Sequence, residues 1–520
     1  MTRKKLPIGI QTFAKIREED FCYVDKTPFI PRLFSEGAIY FLSRPRRFGK
    51  SLLLDTMAEL FAGNEALFRG LYCHGQWDWS IKYPVIRISF GAGVLRERAA
   101  LEQTMAAIFR RNAERLGLPL SSGLTAAVFM NLILEAEAKF GQRVVVLVDE
   151  YDKPILDNLN KPDVAGDMRD GLRDLYSVIK DADAHVRFAF LTGVSKFSKV
   201  SIFSGLNNLT DLTLESSYSA ICGYTEEDVD TVFAPELPGL DRDEIRRWYN
   251  GYNWTGETVY NPFDLLLLFR NRKFSPYWFE TGTPTFLVDT LTERQTFLPR
   301  LGRLEATSEL ISAFDVGNIS TEALLFQTGY LTIAETRDIG GSTYYILGYP
   351  NREVRESLAG NLLGRWTPDA GQAVSQRIRL FHLLMTNDFT GMKELFSALF
   401  AAIPADWRRK NPISNYEGYY ASVFYAFFAA LGLDVIPEEA SSAGRLDMAV
   451  KFNGQVYLFE FKMVEIEPEG TALQQIKDKG YMDEYLGWRQ PIHLIGIEFS
   501  RDKKNVVGFE VESVKPVSFS

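Results

Sequence analysis

Short, continuous apolar runs alternate with amphipathic stretches along the first half of this 520-residue chain. The runs at 39–42, 83–90, 143–149 and 186–191 end in polar or charged residues, which is typical of buried strands. The stretches between them carry apolar residues at the 3.6-residue period of helices. Strands that alternate with helices in this way predict an α/β domain with a parallel sheet.

The first apolar run leads into a loop with the composition of a phosphate-binding loop. Residues 44–51 read RPRRFGKS and are followed by a helical pattern. This context suits a P-loop, because backbone N–H groups at a helix start point at an anion. We expect Gly49 to let the backbone approach the phosphates, Lys50 to reach the β- and γ-phosphates, and Ser51 to bind Mg²⁺. Arg44 stands where the general motif has glycine, and a basic turn before an amphipathic helix is the alternative interpretation.

Two further strand ends supply polar groups that would complete a nucleotide site. The run RVVVLVDEY at 143–151 places Asp149 and Glu150 at the carboxyl edge of its strand, where Asp149 would hold Mg²⁺ through water and Glu150 would polarise the attacking water. The next strand ends at Thr192, which could sense the γ-phosphate. We therefore predict ATP and Mg²⁺ as ligands. The predicted cofactor-binding residues are Arg46, Arg47, Phe48, Gly49, Lys50, Ser51, Leu52, Asp149 and Thr192, and Ser51 and Asp149 are the metal ligands.

The middle of the chain has two further patterns. A strand-like run at 209–215 closes the first domain, and a capping-box pattern at 225–228 opens a largely helical stretch that is rich in aromatic residues. We interpret these aromatics as core in preference to a stacking surface. At 308–314 and 321–328 helical patterns precede two strand-like runs joined across 338–341. Helices followed by a β-hairpin predict a winged-helix-like module, to which we assign no DNA contact.

A second set of chemical groups lies near the carboxyl terminus. Two strand-like runs flank the Asn-Gly pair at 453–454, which is a strong signal for a β-hairpin. Glu460 and Lys462 are two positions apart on the second run, so they share one face of the strand. Asp447 lies 13 positions before Glu460 on the partner strand. The hairpin should therefore bring two carboxylates and an ammonium group together.

This combination is typical of a metal-dependent phosphodiesterase. Carboxylates suit Mg²⁺, with Mn²⁺ as a second candidate, and such a metal can activate water while a lysine orients it. The catalytic residues predicted here are Asp447, Glu460 and Lys462, with Asp447 and Glu460 as metal ligands. Glu417 at the start of the preceding helix and Gln475 in the following helix are accessory candidates. The alternative interpretation is a solvated strand face with a salt bridge.

Composition narrows the range of partners. The net charge of −9 excludes a general basic field, so nucleic acid would have to meet local patches such as 44–47 or 408–410. Three scattered cysteines give no metal spacing and no sign of a disulfide framework. The amino terminus does not read as a signal peptide, and the apolar run at 419–433 is too short for a membrane span. We expect a cytoplasmic protein without a membrane partner.

The motifs taken together resemble a bacterial family. The stretches LPIGIQTFAKIREEDFCYVDKT, FLSRPRRFGKS, VLVDEYDKPI and LTGVSKFS look like the AAA-ATPase-like family, whose own loop tends to read RPRRFGKS. The stretches NYEGYYASVFYAFFAALG, GRLDMAV, VYLFEFK and ALQQIKDKGY are similar to the PD-(D/E)xK nuclease domain that such proteins often carry at the carboxyl terminus. The resemblance implies that Lys50, Ser51, Asp149 and Glu150 form an ATP site. It also implies that Asp447, Glu460 and Lys462 form a nuclease core.

These observations define a fold class and a function to test. We predict an AAA-like P-loop ATPase domain at 1–222, a helical lid and winged-helix-like region at 223–370, and a helical linker with an α/β restriction-endonuclease-like domain at 371–520, whose core is about 411–520. The expected function is an ATP-binding protein whose nucleotide state gates a nuclease acting on nucleic acid, with DNA as the preferred substrate. AAA-type sites often take an arginine from a neighbouring subunit, which leaves a homo-oligomer open. The alternative is a nucleotide-dependent sensor whose nuclease-like domain only binds nucleic acid or a partner.

Overall fold

The computed structural model describes residues 3–196, 202, 208–280, 285–294, 296–312, 319–366, 370–402, 417–441, 444–487 and 490–514. The chain divides into two compact units, and each is described here by itself. The first unit comprises residues 1–281 and 305–351, and the second comprises residues 282–304 and 352–520. The division into three domains that the sequence suggests stays a prediction. No helix in these described ranges is long and apolar enough to cross a membrane.

The first unit is built on a five-stranded parallel sheet flanked by helices. Its first elements are α1 (Phe13–Glu18), α2 (Phe29–Glu36), β1 (Ile39–Ser43), α3 (Lys50–Phe61), β2 (Val85–Ser89), α4 (Arg98–Leu116), α5 (Thr125–Phe140), β3 (Val144–Asp149), α6 (Lys153–Leu156), α7 (Pro162–Asp181), β4 (Val186–Gly193) and β5 (Thr210–Asp211). The sheet order is β2-β3-β4-β1-β5, and β1 and β3 are both fully or almost fully buried because helices cover both faces. The α/β class is confirmed.

The topology places the chemical strand ends side by side. In the sheet, β4 lies between β1 and β3. Strand β2 comes between β1 and β3 in the sequence, but it lies at the edge of the sheet. The register pairs Ser43 with Gly193 and thereby brings the end of β4 to the start of the P-loop. The strand predicted at 209–215 is wrong in length, since only Thr210 and Asp211 pair with β1. The Asp211 carboxylate then accepts from the Thr213 N–H at 2.9 Å, a turn that ends the strand.

The remaining elements of the first unit are mainly helical. Before the chain passes into the second unit, they are α8 (Glu226–Thr231), α9 (Arg242–Tyr249), α10 (Pro262–Asn271) and α11 (Tyr277–Glu280). Helix α12 (Thr285–Glu293) belongs to the second unit. After the chain returns, the first unit continues with β6 (Leu304–Thr307), α13 (Ser308–Ser312), α14 (Thr321–Thr328), β7 (Thr332–Ile339) and β8 (Ser342–Gly348). The capping box at Thr225 and Asp228 is confirmed. The aromatic side chains of this region form a core, as predicted, with Trp248, Tyr249 and Tyr260 buried. Strands β7 and β8 form the predicted antiparallel hairpin in a small sheet of order β6-β8-β7.

The second unit combines helices with a mixed five-stranded sheet. After α12 its elements are α15 (Arg352–Trp366), α16 (Ala370–Thr386), α17 (Phe389–Ala402), α18 (Glu417–Ala430), β9 (Asp434–Ser441), β10 (Gly444–Phe452), β11 (Gln455–Val464), α19 (Thr471–Asp478), α20 (Asp483–Leu486), β12 (Ile492–Ser500) and β13 (Val506–Val514). The sheet order is β13-β12-β11-β10-β9, with β11 and β12 parallel and the other neighbours antiparallel. Short 3₁₀ helices occur in both units at Glu65–Phe68, Tyr72–Gly75, Ser216–Tyr218, Ala234–Glu236 and Leu298–Gly302.

The two faces of the second sheet pack against different partners. One face meets aromatic residues of α18, where the Phe424 and Phe461 ring centroids are 5.1 Å apart and those of Phe428 and Phe459 are 5.2 Å apart. The other face packs on α19 through buried apolar residues that include Leu458 and Ile476. Because side chains alternate along a strand, Glu460 and Lys462 of β11 lie on the α19 face.

Candidate nucleotide and metal sites

The P-loop of the first unit has the backbone form that phosphate binding requires. Gly49 precedes α3 with φ of 92°, a left-handed conformation that glycine adopts readily, and no atom lies within 4 Å of where its Cβ would be. The first turn of α3 contains no acidic residue, so no carboxylate of that turn would compete with an anion for its N–H groups. Lys50 Nζ donates to the carbonyl oxygens of Arg44 at 2.8 Å and Pro45 at 2.9 Å. Burial lowers the pKa of Lys50, and the charge of Asp149 opposes this shift most strongly.

Arg44 is a structural residue and does not belong to an exposed basic patch. Its guanidinium is fully buried and donates to the carbonyl oxygens of Ser43 at 2.8 Å, Thr213 at 3.0 Å and Tyr218 at 3.1 Å. The guanidinium carbon also lies 4.1 Å from the ring centroid of Trp254. Burial lowers the pKa of Arg44 to about 10, so the side chain stays charged at neutral pH. Arg44 is therefore not available to nucleic acid, and its inclusion in the predicted patch at 44–47 is wrong. The predicted patch at 408–410 lies outside the described residues.

The other residues of the loop differ in what they present. Arg46 and Arg47 are exposed, and the Arg47 guanidinium carbon lies 4.7 Å from the ring centroid of Phe263. The Phe48 side chain is buried between Tyr252 and Trp254, with ring centroids 4.7 and 5.5 Å away. Phe48 can thus offer only its backbone to a nucleotide. Ser51 and Leu52 are half-buried on the first turn of α3.

The acidic residues expected beside the loop are brought together at the end of β3. Asp149 accepts from the Thr192 hydroxyl at 2.8 Å and from the Glu150 N–H at 3.0 Å. Thr192 therefore orients the carboxylate that would hold Mg²⁺, whereas a γ-phosphate contact remains a prediction. Glu150 has φ of 52°, in the left-handed region where a non-glycine residue is strained. Burial raises the pKa of Glu150, and the charge of Asp149 adds to that shift.

Asp152 is a residue of this edge that the sequence analysis missed. The buried carboxylate accepts from the N–H groups of Val194 at 3.0 Å and Ser195 at 2.6 Å, and from the Ser195 hydroxyl at 2.6 Å. These bonds tie the turn after β3 to the turn after β4. Asp152 was visible as a third acid in the motif, but its hydrogen-bond partners were not.

Three residues from the later part of the first unit, Trp278, Gln327 and Gly329, also contact these loops, and we call them the clamp. Trp278 Nε1 donates to the Arg46 carbonyl oxygen at 3.2 Å, and the Lys196 N–H donates to Gln327 Oε1 at 2.8 Å. Gly329 has φ of 88°, and a Cβ there would lie 2.6 Å from Pro45 Cγ. The P-loop and the end of β4 are thus in direct contact with α11 and the end of α14. Sequence periodicity gave no signal for this clamp.

The carboxyl-terminal candidate residues meet on the α19 face of the second sheet. The register of β10 and β11 pairs Met448 with Phe459, so Asp447 and Glu460 are the next residues along the two strands. The Phe461 N–H donates to Asp447 Oδ2 at 2.8 Å, which fixes this carboxylate beside β11. Lys462 Nζ lies 3.4 Å from Glu460 Oε1. The two carboxylates and the ammonium group therefore form one cluster.

Two residues of the α19 region complete the surroundings of Glu460. Gln475 Nε2 donates to Glu460 Oε1, so the accessory position expected from the sequence is in the cluster. Tyr481, which the sequence analysis missed, hydrogen-bonds Gln475, and burial followed by the charge of Glu460 raises its pKa. Glu417 begins α18, and its side chain lies outside the described residues.

The electrostatics of Glu460 fit a cation. Only 1% of the residue is exposed, and its Oε2 atom has no hydrogen-bond donor. Burial raises the pKa of Glu460, the charge of Asp447 raises it further, and Lys462 opposes both effects. A divalent cation between the two carboxylates would balance their charge and satisfy Oε2. In the described part of the chain, no group of three or more His, Cys, Asp or Glu side chains could hold a metal ion, and the Glu417 side chain is outside that part.

Comparisons with known proteins match the two parts of the chain that carry these residues to two families. Residues 7–203 match the family model described as "Predicted AAA-ATPase", and residues 415–509 match that of the PD-(D/E)XK nuclease superfamily. The chain is also 65% identical over 515 residues to a protein of Azotobacter chroococcum mcd 1. That protein bears the description "Uncharacterized protein in vnfD 5'region", and the match covers 99% of this chain and 100% of the relative.

Proposed function

The chain belongs to the family of AAA-ATPase-like proteins with a PD-(D/E)XK nuclease-superfamily domain, and from this premise we propose that its nucleotide state controls a metal-dependent nuclease that cleaves DNA. The observation that carries the proposal is the Glu460 carboxylate. It is buried beside Asp447 and Lys462, with one oxygen that lacks a donor. A carboxylate in that state is costly unless a cation or a proton meets it.

The side chains of the second unit have distinct roles in this reaction. A divalent cation held by Asp447 and Glu460 would supply Lewis acidity and an activated water, as such metals do at phosphodiesters. Lys462 would orient that water or stabilise the charge that develops on the phosphate. Gln475 would fix the Glu460 carboxylate through the oxygen that it already contacts. Each role needs the cluster to stay intact, so removal of any charged member should abolish cleavage.

The first unit would bind ATP and report its state. Lys50 would leave the carbonyl oxygens of Arg44 and Pro45 for the phosphates, Ser51 and Asp149 would bind Mg²⁺, and Glu150 would polarise the attacking water. Trp278 of the clamp supports coupling of the two units, because it lies four residues before the chain leaves the first unit at 282.

Cleavage assays with matched variants test this proposal. Plasmid and single-stranded DNA would be incubated with Mg²⁺ or Mn²⁺, with and without ATP. We expect the wild-type chain to cut DNA only when both metal and ATP are present. Asp447→Ala should abolish cleavage and leave ATP binding intact, whereas Lys50→Ala should abolish both ATP binding and cleavage. Asp434→Ala is the matched control, because this exposed acid lies on β9 of the same sheet.

The outcomes separate the candidate functions. Cleavage that persists in Asp447→Ala would refute the assignment of the nuclease centre. Cleavage that does not depend on ATP or on Lys50 would refute gating and leave the nuclease. Tight ATP binding without cleavage of DNA or RNA under any condition would favour the sensor, in which the second unit only binds nucleic acid or a partner.

A further inference from the structure

A second buried glutamate lies close to the candidate nuclease centre and has no role so far. Glu498 is on β12, where the parallel register pairs it with Lys462, and only 2% of the residue is exposed. Its carboxylate accepts from the N–H groups of Glu469 at 2.6 Å, Gly470 at 3.0 Å, Thr471 at 2.7 Å and Ala472 at 3.3 Å. The Thr471 hydroxyl also donates to it at 3.0 Å. Glu498 therefore binds the backbone donors at the start of α19.

These bonds exclude Glu498 as a metal ligand in this arrangement. Oε1 receives three of the donors and Oε2 receives two, so neither oxygen is available to a cation. Burial alone would raise the pKa of Glu498, but the hydrogen bonds outweigh it and the pKa is lowered. Glu460 is the opposite case, because its Oε2 has no donor and its pKa is raised.

The geometry of α19 links this anchor to the proposed active site. At Gly496, the residue that pairs with Glu460, a Cβ would lie 2.2 Å from the backbone nitrogen of Leu473. Helix α19 therefore rests directly on β12 beside Glu460. Gln475 is four positions after Thr471, so the two residues lie on the same face of the helix, about one turn apart. A shift of the first turn would move the Gln475 amide away from Glu460.

We propose that Glu498 is a positioning residue for the proposed nuclease: it fixes the first turn of α19 on the sheet and thereby holds Gln475 against Glu460. The inference rests on the proposed function for its catalytic consequence. The anchoring itself rests only on the contacts of Glu498. Glu498 touches neither substrate nor metal in this scheme, and it acts entirely through Gln475.

Five variants of the full chain test the inference, and four of them are compared first. Glu498→Gln keeps the size of the side chain but replaces one acceptor oxygen by a donor, which opposes the N–H groups that it meets. Gln475→Ala removes the contact with Glu460, and the double variant combines both changes. Glu512→Gln is the control, since it removes an exposed ion pair between Lys477 of α19 and β13.

The first readout is the division between kcat and KM on DNA. We expect Glu498→Gln and Gln475→Ala each to lower kcat about tenfold with little change in KM, because one hydrogen bond to a charged group is lost. The double variant should be no slower than the slower single variant, because both changes remove the same contact. The control should stay within about twofold of the wild type, as exposed ion pairs contribute little.

The second readout does not need activity. Titration calorimetry with Mn²⁺ alone should show weaker binding in Glu498→Gln and Gln475→Ala by a similar factor, and unchanged binding in the control. Thr471→Val provides a milder change, since it removes one of the five donors and should reduce kcat and Mn²⁺ affinity in the same direction. This variant keeps the test decisive if Glu498→Gln does not fold.

The results distinguish the inference from the proposed function. If the wild type is active and Glu498→Gln has the same kcat and Mn²⁺ affinity, the positioning role is overturned. Fully additive effects in the double variant would also overturn it. A wild type that cuts no nucleic acid would refute the proposed function. In that case, loss of Mn²⁺ affinity in Glu498→Gln, Gln475→Ala and Thr471→Val would still support the anchor, and unchanged affinity would overturn it.

Discussion

Replacing Arg44 by glycine would give the chain the first residue of the general P-loop motif. We nevertheless expect this replacement to destabilise the first unit and weaken its binding of ATP. The guanidinium is fully buried and donates to the carbonyl oxygens of Ser43, Thr213 and Tyr218. Its charge lies over the Trp254 ring. Glycine would remove all of these contacts and leave a cavity between the P-loop and residues 213–218.

The magnitude follows from the groups that lose their partner. A buried carbonyl oxygen left without a donor costs about 1–3 kcal/mol, and the contact with the aromatic ring adds about 0.5–2 kcal/mol. Relief of the buried charge offsets part of the loss, because burial already lowers the pKa of Arg44 to about 10. At about 1 kcal/mol for each of the three carbonyl oxygens, with the ring contact added, the net loss is about 3–5 kcal/mol. At about 2–4 °C per kcal/mol, the melting temperature of the first unit should fall by about 10 °C.

Thermal unfolding and nucleotide binding measure the two consequences. The melting temperature would be recorded for the wild type, Arg44→Gly and Arg46→Gly, where the last variant makes the same chemical change at an exposed position of the same loop. We expect Arg46→Gly to melt within about 3 °C of the wild type and Arg44→Gly to bind ATP at least tenfold more weakly. An Arg44→Gly protein that melts like the wild type and binds ATP equally well would refute the structural role of Arg44.

Further predictions concern the clamp and the second unit. In nucleotide titrations, Gly329→Ala should weaken ATP binding more than Gly340→Ala. Both glycines have positive φ, but only a Cβ at 329 would meet Pro45, so equal effects would exclude this contact as the cause. ATP should change the tryptophan fluorescence of the wild type more than that of Trp278→Phe, because Trp278 bonds the P-loop, and identical changes would contradict this. Burial lowers the pKa of His493, so unfolding of the second unit by denaturant should require less denaturant as the pH falls below about 6.5. A stability that does not depend on pH in this range would contradict the prediction for His493.

The parts of the fold that could be predicted are those that depend on local pattern. Valine-rich β3 is buried because its sequence offers no polar face. The hairpin of β10 and β11 turns at Asn453 and Gly454, which both have positive φ as a two-residue turn of this type requires. Once that turn was fixed, the period of two residues in a strand was enough to bring Asp447 and Glu460 together.

The parts that could not be predicted depend on contacts between distant residues. Arg44 meets Thr213 and Tyr218, which are 169 and 174 positions away, and Trp278 meets a carbonyl oxygen 232 positions before it. No period or motif encodes such pairs. An arginine in a basic loop therefore read as an exposed charge, and Trp278 was the subject of no prediction.

The contrast between Glu460 and Glu498 shows what decides the role of a buried carboxylate. Both are on the same face of neighbouring strands, and both are almost fully buried. Glu498 receives five hydrogen bonds from the start of α19, which stabilise its charge and leave no free oxygen. Glu460 has one oxygen without a donor, so its charge must be balanced by a cation or removed by a proton. Because those donors come from a separate helix, residue type and strand position alone could not tell the anchor from the ligand.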